Sequence, residues 1–327
     1  MTSSATVGPA VSAGPTPAPR RKRRDRRKAL EIAIFVGPAL VVFLGFVILP
    51  VILAAVYSFF NLRAGFQWDD LGNPENFVAF DNYVRAFTTP EFLRAIGNNF
   101  LILGLSLVIQ GPIAIVIALL LNRRLRGRSV YRLLIFVPYV LAEVTAGLAW
   151  KLLLPPTGGV NALLQSLGWE HPPAWLADPN FVVWTVFAIL TWKYVGFAIL
   201  LMLAGLQGVP DELSEAAAID GASWWQVQWH ITLPLLGPTI RIWAFLSIIG
   251  SLQLFDMVWI TVAPAVRGIA SETMATYMIQ QGQFAGQPGY GSAIAVILFV
   301  ISLIIALVYQ RFALRRDLAG AVTDRGN

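Results

Sequence analysis

The sequence predicts an all-α membrane protein: six transmembrane helices with a cytoplasmic helical loop between spans four and five. Three observations carry this. Six apolar stretches are each long enough to cross ~30 Å of hydrocarbon, which takes about 20 residues. Only 13% of the 327 residues are charged and 57% are hydrophobic, against about 25% charged in a soluble domain. No ten-residue segments of alternating polarity appear, as a β-barrel would need.

The elements follow in order. Residues 1–28 read as a disordered basic tail. Met1 to Pro19 is rich in Ala, Pro, Ser and Thr, and eight Lys/Arg fall between Arg20 and Lys28. Beside an apolar span such a run sets orientation or touches anionic membrane lipid, and nucleic acid is not an expected partner. The first apolar stretch, Ile32–Phe60, is far longer than the core of a cleaved signal peptide. The remaining expected spans are Phe100–Leu121, Leu133–Leu154, Phe181–Leu206, Thr239–Val262 and Gly291–Tyr309. Helices satisfy their own backbone polar groups in lipid. Pro38, Pro50, Pro112 and Pro138 are expected to kink or loosen theirs. The spans make residues 29–315 one membrane domain, with 316–327 a cytoplasmic tail.

Charge sets the expected orientation. Six spans place both termini on one side. The two tails and the loop between spans two and three hold seventeen Lys/Arg, while the opposite loops hold only Arg63, Arg85, Arg94 and Arg267. The positive-inside rule puts both termini in the cytoplasm. Cysteine is absent and the histidines are two, His171 and His230, so thiolate chemistry is excluded and imidazole metal sites are not expected. No cluster of catalytic spacing marks an enzyme.

The loop from Gln207 to Pro238 is cytoplasmic on this topology, yet contains no Lys or Arg. It reads as two short helices with a break. Pro210, Asp211 and Glu212 suit a first helical turn. Glu215, Ala216, Ala217 and Ala218 give a helical run with a small, smooth surface. Gly221 permits the left-handed conformation that ends a helix. Ser223 and Gln226 have capping-box spacing for a second helix, which Pro234 is expected to stop. On composition alone, this is either a surface that docks into a partner's groove or an interfacial hairpin tying two spans together.

The stretch resembles the E-A-A-x(3)-G-x(9)-I-x-L-P loop of binding-protein-dependent ABC importer permeases. Glu215, Ala216, Ala217, Gly221, Ile231, Leu233 and Pro234 hold its fixed positions. Asp220, Ala222 and Pro238 fit its extended form, and Trp229 stands where that form usually has Phe. The likeness runs from about residue 30 to 315 and is strongest to the carbohydrate-uptake branch, through Phe80-Asp81-Asn82-Tyr83, Phe136-Val137-Pro138-Tyr139, Gly159-Val160-Asn161 and Gly289-Tyr290-Gly291. One departure weakens a substrate assignment: the Thr-x-Gly-Gly-Pro element expected after span five is reduced to Thr261-Val262-Ala263-Pro264.

The resemblance implies a permease subunit of the bacterial plasma membrane, working by alternating access and carrying a sugar or oligosaccharide. It implies a second permease subunit, two ATPase subunits or domains, and an extracytoplasmic solute-binding protein. It makes Glu215, Ala216, Ala217, Asp220, Gly221, Ile231, Leu233 and Pro234 the ATPase-coupling residues. This chain has no Gly-x(4)-Gly-Lys-Ser/Thr loop, so it is expected to bind no cofactor, with ATP and magnesium used by the partner. The alternative is a stand-alone secondary transporter or channel, which leaves that loop unexplained.

Ionisable residues inside a membrane are costly and mark function by default. Glu143 in span three and Lys193 in span four are either a structural pair or substrate contacts. Asp256 lies toward the outer part of span five. Sugars need hydroxyl partners and aromatic faces, which Trp192, Tyr194 and Phe197 on span four and Ser247, Ser251 and Gln253 on span five supply.

Overall fold

In a computed structural model the chain is described over residues 22–123 and 126–314. The expected C-terminal tail and most of the N-terminal tail lie outside these residues. Two units are separated, 1–53 and 54–327. In the first, a helix begins at Lys22, so the part of the expected tail from Lys22 to Lys28 is helical.

Among the described residues, four helices are long and apolar enough to cross a membrane: Leu30–Tyr57, Pro90–Asn122, Val182–Leu206 and Pro288–Ala313. Two further spans are broken among the described residues, where the sequence led us to expect at most a proline kink in the third. The third divides into Ser129–Val140 and Glu143–Leu153, bent by 95°. The fifth runs Gly237–Leu252, is interrupted over Gln253–Phe255, and resumes as Asp256–Thr261. Among the described residues, up to six spans result when Ser129–Val140 is taken with Glu143–Leu153 and Trp224–Leu235 with Gly237–Leu252.

A break in a span frees carbonyls that lipid cannot satisfy, and both breaks are closed by side chains from other spans. At the third, the Lys193 ammonium donates to the Leu141 carbonyl at 2.6 Å. At the fifth, Asn99 Nδ2 donates to the carbonyls of Ser251 (2.7 Å) and Leu252 (3.1 Å), while its Oδ1 accepts from the Met274 N–H at 2.8 Å. Thr273 Oγ1 donates to the Leu254 carbonyl at 2.7 Å.

The prolines act differently from simple kinks. A proline has no N–H and its ring crowds the carbonyl four residues back. Here the turn before Pro50, Pro112 and Pro234 widens instead. Leu49, Gly111 and Leu233, each just before a proline, donate to the carbonyls of Leu44, Ser106 and Gln228, five residues back. These π-turns keep the helix going. The expectation that Pro234 stops its helix is therefore corrected: the helix continues to Leu235 and then meets Gly237–Leu252 at 66°.

The core has three apolar clusters. One packs spans two and four through Ala114, Ala118, Ala198 and Met202. Another joins spans two, five and six through Phe92, Leu252, Tyr290 and Ile294. The last joins the second halves of spans three and five to span four through Ala146, Val186, Ile189 and Val258. Small residues permit close approach, as is usual between membrane helices. At Gly196 an added Cβ would stand 2.2 Å from the Ile135 carbonyl oxygen.

Candidate functional site

A cavity of about 380 Å³ lies between spans two, three, four and five, within the ~300–1,000 Å³ usual for small-molecule sites. Of the residues singled out from the sequence, Glu143, Tyr194, Phe197, Ser247, Ser251, Gln253 and Asp256 line it. Trp192 and Lys193 are not among its lining residues. Helix periodicity explains this: Leu190, Tyr194 and Phe197 share the lining face at spacings of four and three. Trp192 packs edge-on against Trp150, with ring centroids 5.3 Å apart.

The sequence reading missed Ser106, Gln110, Tyr139 and Trp243, which also line the cavity. Ser106 Oγ donates to Gln110 Oε1 at 2.5 Å and shares a 2.7 Å hydrogen bond with Ser247 Oγ, linking spans two and five. A signal was available, because Ser106 and Gln110 are polar residues four apart in an otherwise apolar span. Tyr139, from the Phe-Val-Pro-Tyr stretch, stacks on Phe197 with centroids 5.0 Å apart. The lining thus joins aromatic faces to hydroxyl and amide groups.

Lys193 lies behind this lining and is 2% exposed. Its ammonium is 3.9 Å from the Glu143 carboxylate, so the two charges do meet. Glu143 opens the second half of span three, where a carboxylate suits the positive helix end, and it also accepts a hydrogen bond from the Tyr194 hydroxyl. Lys193 therefore holds two groups at once: the carbonyl on one side of the break and the acid on the other.

Between spans five and six, Arg267 is buried with its guanidinium 3.9 Å over the Trp259 ring. Burial pushes its pKa down and that of buried Glu272 up, and the attraction between the two partly offsets both shifts.

The loop between spans four and five forms the two short helices expected. The first is Asp211–Ile219. It ends with Gly221 at φ +85°, where the Ala222 N–H donates to the Ala217 carbonyl (2.9 Å) and the Gly221 N–H to that of Ala218 (3.1 Å). This is the Schellman arrangement. Space around Gly221 is open, so glycine is required by the backbone angle. The second helix starts at Trp224 with the Ser223–Gln226 capping box in place. Arg123, at the end of span two, lies 3.9 Å over the Trp224 ring and ties the loop to the bundle. Glu215, Ala216, Asp220 and Gly221 are exposed, Ala217 is half-buried, and Ile219 and Trp225 present exposed apolar side chains. Ile231 and Leu233 are half-buried and Pro234 is exposed.

Comparison with known proteins places this geometry. Residues 110–317 match the family described as binding-protein-dependent transport system inner membrane component. The chain is 31% identical to the arabinooligosaccharides transport system permease protein AraP of Bacillus subtilis (strain 168), over 84% of this chain and 86% of that one. It is 32% identical to the trehalose/maltose transport system permease protein MalF of Thermococcus litoralis, over 87% and 94%. In three dimensions it resembles a chain of a bacterial ABC transporter involved in import of the acidic polysaccharide alginate. There the TM-score is 0.77 at 25% identity, covering 89% of this chain and 98% of the other.

Proposed function

This chain belongs to the binding-protein-dependent transport system inner membrane components, and we propose that it is the permease subunit of an ATP-driven importer for a sugar or oligosaccharide. Family membership sets aside the stand-alone transporter or channel. The observation that carries the sugar reading is the cavity, where Tyr139 and Phe197 offer stacked aromatic faces beside Ser247, Ser251 and Gln253. Sugar C–H surfaces pack on such faces, and their hydroxyls need neutral donors and acceptors. Relatives named for arabinooligosaccharide and trehalose/maltose transport support the same class.

A second permease subunit completes the pathway, and a solute-binding protein delivers the cargo. Two ATPase subunits use ATP and magnesium, and this chain binds neither. The loop from Glu215 to Pro234 docks on an ATPase. Its exposed Ala216, Ile219 and Trp225 supply a partly apolar surface, with Glu215 and Asp220 at hand for basic residues of the partner. Nucleotide then biases a two-state membrane bundle. Both termini lie in the cytoplasm; a reporter fused after residue 327 should be active only there, and activity solely outside the cell would refute this orientation.

Gly221→Val tests the coupling role. A β-branched residue at φ +85° costs about 1–2 kcal/mol locally and loosens the turn that sets the angle between the loop helices. The variant should insert and accumulate normally, yet lose ATP-dependent uptake and fail to co-purify an ATPase. Gly221→Asn, which tolerates the left-handed region, should keep most activity. Wild-type uptake by the valine variant would exclude the docking role.

A further inference from the structure

The charge of the cavity narrows the substrate class. Both broken spans resume with an acid: Glu143 begins Glu143–Leu153 and Asp256 begins Asp256–Thr261. Both acids line the cavity, and no Lys, Arg or His lines it among the described residues. The nearby cation, Lys193, is 2% exposed and held at the third-span break by the Leu141 carbonyl at 2.6 Å and Glu143 at 3.9 Å. It answers Glu143 and does not face the solute. Asp256 differs: its side chain is exposed and has no hydrogen-bond or ion-pair partner among the described residues.

A carboxylate without a partner accepts hydrogen bonds and donates none. Sugar hydroxyls or an ammonium group can supply donors, whereas a uronate, sulfate or phosphate brings like charge. At roughly 6–12 Å and an effective dielectric of about 20, such repulsion lowers affinity roughly tenfold to a hundredfold. Among the described residues of this chain, the cavity offers an anion no compensating cation. The Glu143–Leu153 helix start, which elsewhere suits an anion, is already occupied by its own carboxylate.

We infer that this site selects against anionic solutes: it carries a saccharide that presents only hydrogen-bond donors and neutral acceptors, and Asp256 is the residue that enforces the choice. The inference rests on the saccharide-import reading above. It also separates this chain from its structural neighbour, whose cargo is an acidic polysaccharide; a shared fold does not carry a shared charge preference.

The test uses the complete importer, with its partner subunits and binding protein, in proteoliposomes. Oligosaccharide digests of starch, arabinan and chitin serve as neutral probes, and digests of alginate and pectin as polyuronate probes. ATP hydrolysis should rise with at least one neutral digest and with neither polyuronate. A response to a polyuronate would overturn the charge inference and leave saccharide import standing. Silence with every digest would overturn the saccharide reading, and this inference with it. With the most effective neutral digest, Asp256→Asn should assemble at wild-type yield but take up solute on the order of tenfold more slowly, from the loss of one charge-assisted hydrogen bond. Asp256→Glu, which keeps the charge, should restore most of that rate. Equal loss in both variants, or no loss in Asp256→Asn, would overturn the assignment to Asp256.

Discussion

Lys193→Met should sharply reduce the folded yield of this protein. The substitution removes a cation that is 2% exposed and leaves Glu143 facing the break in span three without its counter-charge. Removing one member of a fully buried pair typically costs about 3–5 kcal/mol; Glu143 keeps 29% of its side chain exposed, so the loss here falls below that range. It also strips the Leu141 carbonyl of its 2.6 Å donor, and an unsatisfied buried carbonyl costs a further ~1–3 kcal/mol. Thermal unfolding in detergent, read by fluorescent size-exclusion chromatography, measures the loss. Adding Glu143→Leu should recover only part of it. The double variant no longer buries a lone charge, but the Leu141 carbonyl stays open and the Tyr194 hydroxyl loses its acceptor. A double-mutant cycle on folded yield decides the matter: strictly additive losses would mean that Lys193 and Glu143 are not partners. Uptake adds a separate reading. A stable double variant that still transports assigns the pair to structure alone; one that is stable but inactive gives Glu143 a part in the solute path.

Gly196→Val should be nearly as damaging, for a steric reason. The first half of span three lies so close to span four that a Cβ on Gly196 would be 2.2 Å from the Ile135 carbonyl oxygen and 3.1 Å from its carbon. These are backbone atoms and cannot rotate aside. The helices must separate, carrying Tyr139 away from its stack on Phe197. Overpacking typically costs ~1–3 kcal/mol, and a backbone obstacle puts this site at the upper end. Uptake should fall with the melting temperature. Gly104 in span two is the control, because nothing lies within 4 Å of a Cβ added there. Gly104→Ala should be neutral or stabilise slightly, by up to about 1 kcal/mol of helix propensity. Equal effects at the two positions would show that close approach at Gly196 is not what holds the spans together.

Features that depend on short stretches of chain were legible from residue order alone. Hydropathy marked six membrane-crossing regions because a span needs length and apolarity and nothing from its neighbours. The loop between spans four and five was equally legible. Its Gly221 turn and Ser223–Gln226 box rest on contacts within a few residues, and its spacing gave the family. Tertiary structure decided the rest. A helix in lipid can be apolar all round, so its sequence carries no stripe that tells an inward face from a lipid-facing one. That is why Tyr194 and Phe197 lined the cavity while Trp192 and Lys193, in the same span, did not. The breaks in spans three and five were hidden for a related reason. Each is tolerated only because Lys193 or Asn99, far away in sequence, supplies donors to the freed carbonyls. The cavity beside those breaks exists where they do, so its lining, and the carboxylate of Asp256 that has no partner among the described residues, became visible only when the spans were packed together.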